Sequence, residues 1–417
     1  MQIREIKKCR ICGNDQLVTV IDLGNQSLSG RFPKKDEADP PRAPLVLVRC
    51  DNSKKPDACG LVQLKHSVPP LEMYTCGYGY RSGINKTMSD HLADLTRRVQ
   101  TIARLEENDI VLDIGSNDGT LLKSYSRDDI RRIGIDPGGE QYKKYYPPEI
   151  QLISDFFTAA NFKSVYSHEK AKIITSIAMF YDLEEPMEFV KNIRQILHKD
   201  GVWVLEQSYL PTMLKMNSFD TICHEHLEYY AFHQIDWMLR QNNLKAVDIE
   251  FNAINGGSFK LYVTHADSRI PRNDEALDQV ITSEQKLKLD TAVPYRNFCT
   301  RIEKIRANLN TLLRREKEKG KKIFVYGAST KGNVLLQYFN LDSTIITAAA
   351  ERNPEKWGCR TPGTNIPIIS EEEARKLKPD YFLPLPWHFK NEFIKRESRF
   401  LEEGGKFIFP LPEVEIV

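Results

Sequence analysis

The sequence of 417 residues lacks a long hydrophobic run and an excess of charge of one sign. No apolar stretch approaches the ~20 residues that a membrane-spanning helix needs, and residues 1–8 lack the apolar core of a signal peptide. The formal net charge is only +2, with acids and bases interspersed, which argues against a nucleic-acid or membrane partner. We therefore expect a cytoplasmic protein.

The cysteine content is also too low for a fold held together by disulfides. Eight cysteines occur in the chain, and in a cytoplasmic protein we expect thiols or metal ligands rather than bridges. The hydrophobic content of 41% and the charged content of 28% are typical of a globular protein. A chain of this length predicts two or three domains. The oligomeric state stays open, and a monomer is compatible with the sequence.

The first part of the chain contains two pairs of cysteines. Cys9 and Cys12 form a Cys-x-x-Cys-Gly turn, and Cys50 and Cys59 follow beside short apolar stretches. Four thiolates in two pairs suit a closed tetrahedral zinc site, which would be structural because it leaves no position for water. The eight residues between Cys50 and Cys59 are a loose spacing, so two unrelated pairs of reduced cysteines are the alternative.

A glycine-spaced aromatic cluster, 74–83, follows this module and includes Tyr78 and Tyr80. Exposed tyrosines between glycines suit a loop that closes over a ligand, with core packing as the alternative. Beyond it, apolar residues at three- and four-residue spacing predict a helix over 87–105.

The most specific short motif is Asp113-Ile-Gly115-Ser-Asn-Asp-Gly119, which ends a short apolar strand. Glycines at the carboxyl end of a parallel strand let the backbone approach a ligand closely. The dinucleotide pattern Gly-x-Gly-x-x-Gly is absent, whereas the form Asp-x-Gly-x-x-x-Gly is similar to the first motif of class I S-adenosylmethionine methyltransferases. A second strand ends at Asp136, whose carboxylate can accept both hydroxyls of a ribose.

Strands alternate with helices through this region and predict a parallel, doubly wound α/β sheet. Asp155 and Phe156 lie after a third strand. The carboxylate of Asp155 could form a hydrogen bond with adenine, and the ring of Phe156 could stack on it. The residues expected to bind the cofactor are thus Asp113, Gly115, Ser116, Asn117, Gly119, Asp136, Asp155 and Phe156. A nucleotide-binding fold with another ligand is the alternative.

His224-Glu225-His226 brings two imidazoles and a carboxylate together. Histidine titrates near neutral pH and can accept and release a proton, and a neighbouring carboxylate can raise its basicity. A pair of structural histidines and a metal pair are the alternatives.

The C-terminal half contains two further loops that could hold a ligand. Asn255-Gly-Gly-Ser258 precedes an alternating strand, and Tyr326-Gly-Ala-Ser-Thr-Lys-Gly332 links a strand to a helix. Small residues, hydroxyls and a lysine at a helix start form a phosphate cradle, in which Ser329 and Lys331 are the candidate ligands. The loop lacks a Walker pattern, which argues against nucleotide hydrolysis. Apolar spacing predicts an amphipathic helix that begins near Pro294.

Together these motifs resemble the bacterial sugar C-methyltransferases that act on nucleotide-linked ketosugars in deoxysugar biosynthesis. Residues His224–His226, the Asn255 and Tyr326 loops, and the run 361–367 carry the resemblance, which extends over nearly the whole chain. The resemblance implies a zinc module (1–72), an S-adenosylmethionine-binding class I methyltransferase domain (73–250) and a C-terminal Rossmann-like α/β domain that binds the nucleotide-sugar substrate (251–417).

The resemblance also implies residue roles. His226 matches the general base, Glu225 matches its neighbour, and Tyr80 matches a tyrosine that holds the sugar, although Tyr78 lies close by. We expect His226 to deprotonate the carbon beside a ketone and Tyr80 or His224 to stabilise the enolate.

Two positions differ from the family pattern. Cys223 stands where family members often have a tyrosine, and 178–182 lacks a histidine that many carry. These departures leave the sugar and the methylated atom open.

Three other functions remain. A sugar O-methyltransferase would use the same cofactor loop and would need no ketone. A reductase would need a nicotinamide-binding motif, which the sequence lacks. A non-enzymatic scaffold would use the zinc module and the glycine loops to bind partners. Of these hypotheses the sequence favours C-methylation, with O-methylation as the second choice.

Overall fold

The computed structural model describes residues 2–73, 81–84 and 86–417, except for the side chains of Pro70, Leu71 and Asn255. These residues form a small antiparallel sheet, a seven-stranded sheet and a six-stranded sheet, with a further two-stranded ribbon. The predicted α/β class with an N-terminal module is confirmed. No helix within the described ranges has the length and apolar character needed to cross a membrane.

The N-terminal module is built on a meander of three antiparallel strands. Its elements are β1 (Arg4–Glu5), β2 (Leu17–Ser27), β3 (Arg42–Cys50), β4 (Val62–Leu64), β5 (His66–Ser67) and α1 (Pro70–Met73). Strand β2 pairs with β3 and β3 pairs with β4. A two-residue strand from the middle of the chain, Glu228–Tyr229, adds to the free side of β4 and completes the sheet. The module is therefore joined to the next domain by main-chain hydrogen bonds.

The middle of the chain forms the seven-stranded sheet. Its elements in chain order are α2 (Lys86–Ile102), β6 (Ile110–Ile114), α3 (Thr120–Lys123), β7 (Arg131–Ile135), α4 (Gly139–Tyr142), β8 (Ile150–Ile153), α5 (Ala159–Tyr166), β9 (Ala171–Ile177), α6 (Pro186–Ile196), β10 (Leu197–Ser208), α7 (Leu210–Lys215), β11 (Glu228–Tyr229), α8 (Phe232–Gln241), β12 (Leu244–Asn252), β13 (Ser258–His265) and α9 (Asp274–Leu287). The strand order is β12-β13-β10-β9-β6-β7-β8. Strands β6 to β10 pair in parallel, and β13 runs antiparallel to both of its neighbours.

Alternate residues of the central strands enter two separate hydrophobic cores. Leu112 and Trp203 belong to one core, whereas Val111 and Val202 belong to the other. Successive side chains of a strand point to opposite faces, so a sheet covered on both sides needs apolar residues at every position. This requirement explains the continuous apolar runs in β6 and β10.

The C-terminal part begins with a long helix and ends in the six-stranded sheet. Its elements are α10 (Val293–Glu318), β14 (Ile323–Tyr326), α11 (Thr330–Phe339), β15 (Ala348–Glu351), β16 (Ile368–Ser370), α12 (Glu371–Lys376), β17 (Tyr381–Pro384), α13 (Lys390–Arg396), α14 (Ser398–Glu402), β18 (Lys406–Phe409) and β19 (Glu415–Ile416). The strand order is β16-β15-β14-β17-β18-β19, parallel except for β19. The division at residue 250 stays a prediction, and β13 continues the seven-stranded sheet beyond it.

Helix α10 follows the predicted amphipathic pattern. It begins at Val293, one residue before Pro294, and buries Phe298, Ile302 and Leu309 on one side. Proline is favoured in the first turn of a helix because its missing N–H would have no partner there. The helix packs against α7 and β2 and so connects the three parts of the molecule.

Candidate active site

Strand β6 ends in a buried carboxylate and a glycine turn, as the sequence predicts. Asp113 Oδ1 accepts a hydrogen bond of 2.6 Å from Thr175 Oγ1. Burial raises the pKa of Asp113 to about 7, although the Thr175 hydrogen bond lowers it. Gly115 has a φ of +72°, and a Cβ at this position would lie 3.1 Å from Met179 Cγ. Only glycine fits this turn without strain, which lets the backbone line a cleft closely.

The neighbouring strand, β7, is followed by a carboxylate that holds the same turn. Asp136 Oδ2 accepts a hydrogen bond of 2.8 Å from the Asn117 amide. Asp136 Oδ1 accepts one of 2.7 Å from the Gly138 amide. Each carboxylate oxygen has a second lone pair, and Asp136 lines the cleft, so it can still accept ribose hydroxyls. Burial raises the pKa of Asp136, which its two amide partners oppose.

Ser116 and Gly119 are held by a tyrosine that sequence reasoning did not select. The Tyr146 hydroxyl donates to Ser116 Oγ at 2.8 Å and lies 2.9 Å from the Asn117 carbonyl oxygen. Gly119 has a φ of +71°, and a Cβ there would lie 3.0 Å from the Tyr146 ring. Ser116 therefore shapes the loop through Tyr146, and it also lines the cleft.

The structure separates the two residues predicted to bind adenine. Phe156 is 50% exposed and lines the cleft, where its ring is available for stacking. Asp155 accepts hydrogen bonds from the Phe156 amide at 2.7 Å and from Asn161 Nδ2 at 2.9 Å. Among the described residues that line the cleft, Asp155 is absent. Its visible role is to shape the turn that carries Phe156.

His226 is oriented by a main-chain carbonyl. It lies in a loop between a 3-10 turn, Phe219–Thr221, and β11. His226 Nδ1 is 2.9 Å from the Thr221 carbonyl oxygen, and the Tyr181 ring packs edge-on at 4.5 Å between centroids. A carbonyl oxygen can only accept, so Nδ1 carries the proton and Nε2 keeps its lone pair. Burial and then the charge of Lys331 lower the pKa of His226 to about 3, which leaves a neutral base at physiological pH.

The other two members of the His-Glu-His unit have different surroundings. Glu225 is buried against Gly30, where an added Cβ would lie 2.5 Å from Glu225 Oε1. Burial raises the pKa of Glu225. His224 Nε2 lies 3.1 Å from the Ala43 carbonyl oxygen of β3, and burial lowers the pKa of His224 to about 4. His224 thus faces the N-terminal module and is not among the described residues that line the cleft.

A cleft of about 1030 Å³ joins these groups to the C-terminal sheet. Single-ligand pockets are usually about 300–1,000 Å³, so the cleft has room for a cofactor and a substrate side by side. The residues around the base that line it are Tyr181, Asp182, Asp220, Cys223, Glu225, His226 and Lys331. The two departures from the family pattern, at Cys223 and in 178–182, therefore lie at the cleft beside His226.

Lys331 lies in the first turn of α11, on the cleft wall. Its charge lowers the pKa of His226 and opposes the rise in the pKa of Asp220. Burial lowers the pKa of Lys331 itself. Trp387 Nε1 donates to Asp220 Oδ2 at 3.0 Å. Lys331 and His226 therefore line the same cleft, and the charge of Lys331 acts on the His226 ring.

The loop after β14 has its own acidic partner. The Gly327 amide donates to the Ala350 carbonyl oxygen at 2.8 Å, with Gly327 at a φ of +82°. Glu351 Oε2 accepts a hydrogen bond of 2.7 Å from the Ala328 amide, and its Oε1 accepts one of 2.8 Å from the Asn353 amide. Glu351 also lines the cleft.

This arrangement repeats that of the Gly115 loop. In both domains a left-handed glycine, Gly115 or Gly327, ends one strand and donates to the neighbouring strand. In both, the acid that ends the neighbouring strand, Asp136 or Glu351, accepts from the glycine loop and from the amide two residues after itself. The cleft therefore has two similar edges that face it from opposite domains.

Ser329 has a structural partner in this loop. Its Oγ accepts a hydrogen bond of 3.1 Å from the Gly332 amide and so caps α11. Tyr78 and Tyr80 lie outside the described residues. Asn255 lies in a 3-10 turn, Ile254–Gly256, and its side chain is not among those that the structure describes.

The four predicted zinc ligands come together in the N-terminal module. Their sulfur atoms lie within 4.8 Å of one another, in a cluster formed by Cys9, Cys12, Cys50 and Cys59. The Leu61 amide and Asn14 Nδ2 each lie 3.4 Å from a sulfur, at Cys59 and Cys50 respectively. N–H donors toward sulfur favour the thiolate that a metal requires, so the cluster fits a zinc ion.

Sequence reasoning missed Thr221 and Glu351. Thr221 acts through its carbonyl oxygen, which no side-chain motif reveals. Glu351 could have been found from the sequence, because it ends a short apolar strand that follows a strand and a glycine loop, as Asp136 does.

Three family models match successive parts of the chain. A zinc binding domain matches residues 9–74, a methyltransferase domain matches 84–249, and a C-methyltransferase C-terminal domain matches 253–412. The C-methyltransferase NovU of Streptomyces niveus is 29% identical over 420 residues, which cover 100% of this chain and 98% of NovU.

Two solved methyltransferase structures each align with less than half of the chain. The plantazolicin methyltransferase BpumL in complex with S-adenosylhomocysteine is 13% identical and has a TM-score of 0.34, with 42% of this chain and 82% of BpumL covered. The N-methyltransferase NodS from Bradyrhizobium japonicum is 14% identical with a TM-score of 0.32, covering 44% of this chain and 98% of NodS. Similarity at this level carries no argument about function.

Proposed function

We propose that this chain, an S-adenosylmethionine-dependent methyltransferase with a zinc binding domain and a C-methyltransferase C-terminal domain, methylates a carbon beside the ketone of a nucleotide-linked deoxysugar. The observation that carries the proposal is the tautomer of His226. His226 lines a cleft that also contains the Asp136 and Glu351 edges, and with Nδ1–H donated to the Thr221 carbonyl oxygen its basic nitrogen is Nε2. NovU, similar over its full length, is itself a C-methyltransferase.

The chain's residues fit S-adenosylmethionine. Gly115 allows close approach of the main chain, Asp136 can accept the ribose hydroxyls, and Phe156 offers a ring for the adenine. When bound, the cofactor supplies a methyl group that its sulfonium has already activated. The protein's contribution is then to align the partners and to exclude water.

His226 Nε2 is the proposed base that removes the proton beside the ketone. The electron pair of the broken C–H bond passes into an enolate, whose carbon forms the new C–C bond as the methyl–sulfur bond breaks toward sulfur. The enolate oxygen needs a positive or hydrogen-bonding partner, because a weakly basic imidazole cannot otherwise deprotonate carbon. We assign this role to Lys331, which lies near His226 in the cleft, and not to His224, which faces Ala43.

The C-terminal edge is the proposed site for the nucleotide. Glu351 and the Gly327 loop repeat the geometry of Asp136 and the Gly115 loop, so they suit a second sugar hydroxyl and a phosphate. Arg352 and Arg396 line the same side of the cleft and can pair with a pyrophosphate. This placement puts the nucleotide on one domain and the methyl donor on the other.

The experiment uses S-adenosylmethionine and a panel of nucleotide-linked 4-keto-6-deoxysugars in deuterated water, read by mass spectrometry. We expect methyl gain, together with deuterium exchange beside the ketone in the reaction that lacks the methyl donor. His226→Gln should lose both signals. Methylation restricted to sugars without a ketone would replace the proposal with O-methylation, and no methylation of any sugar nucleotide would refute the substrate class.

A further inference from the structure

The segment that carries His226 is built into the sheet of the zinc module. Strand β11, directly after this segment, pairs with β4 of the module. The Leu64 amide of β4 also donates to the Leu227 carbonyl oxygen at 2.8 Å. On the other side of His226, His224 lies 3.1 Å from the Ala43 carbonyl oxygen. The backbone is therefore held by the module on both sides of the proposed base.

Arg10 lies between the zinc ligands Cys9 and Cys12 and turns its side chain inward, where only 3% is exposed. Its guanidinium donates to the Leu64 carbonyl oxygen at 2.7 Å and to Ser67 Oγ at 2.9 Å. The first bond ties the cysteine turn to β4, the strand that pairs with β11, and the second ties it to β5.

The same guanidinium faces a fully buried acid. Arg10 Nε lies 3.5 Å from Glu228 Oε1 and 3.6 Å from Glu184 Oε2. The Glu228 side chain is 0% exposed, and its two oxygens have no hydrogen-bond partner among the described residues. Burial raises the pKa of Glu228, and Arg10 opposes that rise, whereas the acids at 182, 184 and 185 add to it. Arg10 is thus the cationic side chain that faces this buried carboxyl group, two residues from His226.

We propose that Arg10 is a positioning residue that acts through Glu228 to hold the His226 segment against the zinc module. A buried carboxyl group without a polar partner is destabilising, so the loss of Arg10 would favour movement of β11 away from β4 toward water. Since Thr221 and Tyr181 orient the ring only while the segment keeps its place, Nε2 would lose its alignment. The cysteine turn, which fixes the Arg10 backbone, thereby sets the geometry of a base in another domain. The catalytic part of this inference rests on the proposed function.

The test compares Arg10→Met, Arg10→Lys and the double variant Arg10→Met/Glu228→Gln, with Arg4→Met as an exposed arginine of the same module. For each protein, zinc content, the Kd of S-adenosylmethionine, kcat and amide hydrogen exchange of 222–230 are measured. We expect Arg10→Met to keep its zinc and a cofactor Kd within twofold, to lower kcat at least tenfold, and to exchange at least tenfold faster in 222–230. The double variant should recover part of both losses because it removes the acid that Arg10 faces, and Arg10→Lys should be intermediate.

Two results would overturn the inference. One is a rate of amide hydrogen exchange in 222–230 of Arg10→Met that equals the wild-type rate. The other is a loss of kcat that only follows a loss of zinc or that the double variant does not relieve. Hydrogen exchange needs no substrate, so an inactive wild type would count against the proposed function while leaving this measurement decisive for Arg10.

Discussion

The pH dependence of methyl transfer tests the role of His226 and its surroundings. Burial, with a contribution from Lys331, lowers the pKa of His226 from 6.5 to about 3. The difference corresponds to at most roughly 5 kcal/mol in favour of the neutral ring. Because the folded pKa lies below the unfolded one, this stabilisation is fully present above pH 6.5 and is lost as the pH falls toward 3. The His226 ring is therefore neutral throughout the neutral pH range, and if it is the base, the acid limb of kcat/KM should lie far below pH 6.5.

Lys331→Met is the perturbation that separates the two causes. It removes the nearby charge and leaves burial in place, so the acid limb should move upward to a position between pH 3 and 6.5. The rate at the plateau should fall as well, since the enolate would lose its cation. Lys376→Met, at an exposed lysine of α12, should leave both unchanged.

The assay measures the formation of S-adenosylhomocysteine across the pH range, with an NMR titration of the His226 ring as an independent reading. A wild-type limb at 6.5 would contradict the buried environment of His226. A limb that does not move in Lys331→Met would contradict the proximity of the two side chains.

Two further pairs of variants test the two edges of the cleft. Gly115→Ala should weaken cofactor binding at least tenfold by calorimetry, because the left-handed φ costs ~1–2 kcal/mol and the Cβ would meet Met179. Gly320→Ala has a similar φ of +76° with open space around it, so it should lose comparable stability in thermal unfolding and keep cofactor affinity. Glu351→Gln leaves one loop amide without its acceptor and should raise the KM for the sugar nucleotide, with the cofactor Kd unchanged. Asp136→Asn should raise the cofactor Kd and leave the KM for the sugar nucleotide unchanged. Equal effects of both variants on both ligands would show that the two edges are not specialised.

The repeated edge gives a physical reason why the cleft has its place between the domains. A parallel sheet presents loops and helix starts at the carboxyl ends of its strands, where ligands bind. Here two such edges, at Asp136 and at Glu351, line one cleft together with His226. A reaction between two bound molecules needs this arrangement more than it needs strong acids or bases, because alignment of the reactants contributes more to lowering the activation barrier.

Much of the architecture follows from local patterns in the sequence. The run from Asp113 to Gly119 predicts its strand, turn and helix, because a left-handed glycine and a strand-ending acid act on their immediate neighbours. The Cys9–Cys12 turn predicts half of a metal site by itself, and the loosely spaced Cys50 and Cys59 complete it in the structure. The spacing in α10 likewise predicts its buried side from residues three and four apart.

Tertiary structure decided which of the candidate groups face the cleft. His224 and His226 are separated by one residue, yet one faces Ala43 and the other the cleft, because the segment enters a sheet with another module. The tautomer of His226 depends on a main-chain carbonyl, and the place of Lys331 depends on how α11 packs against the Phe219–Thr221 turn. Arg10 and Glu228 meet only because distant parts of the chain pair as strands. Sequence motifs report what a residue does to its near neighbours, whereas a site between domains is made from contacts that arise only when those domains pack.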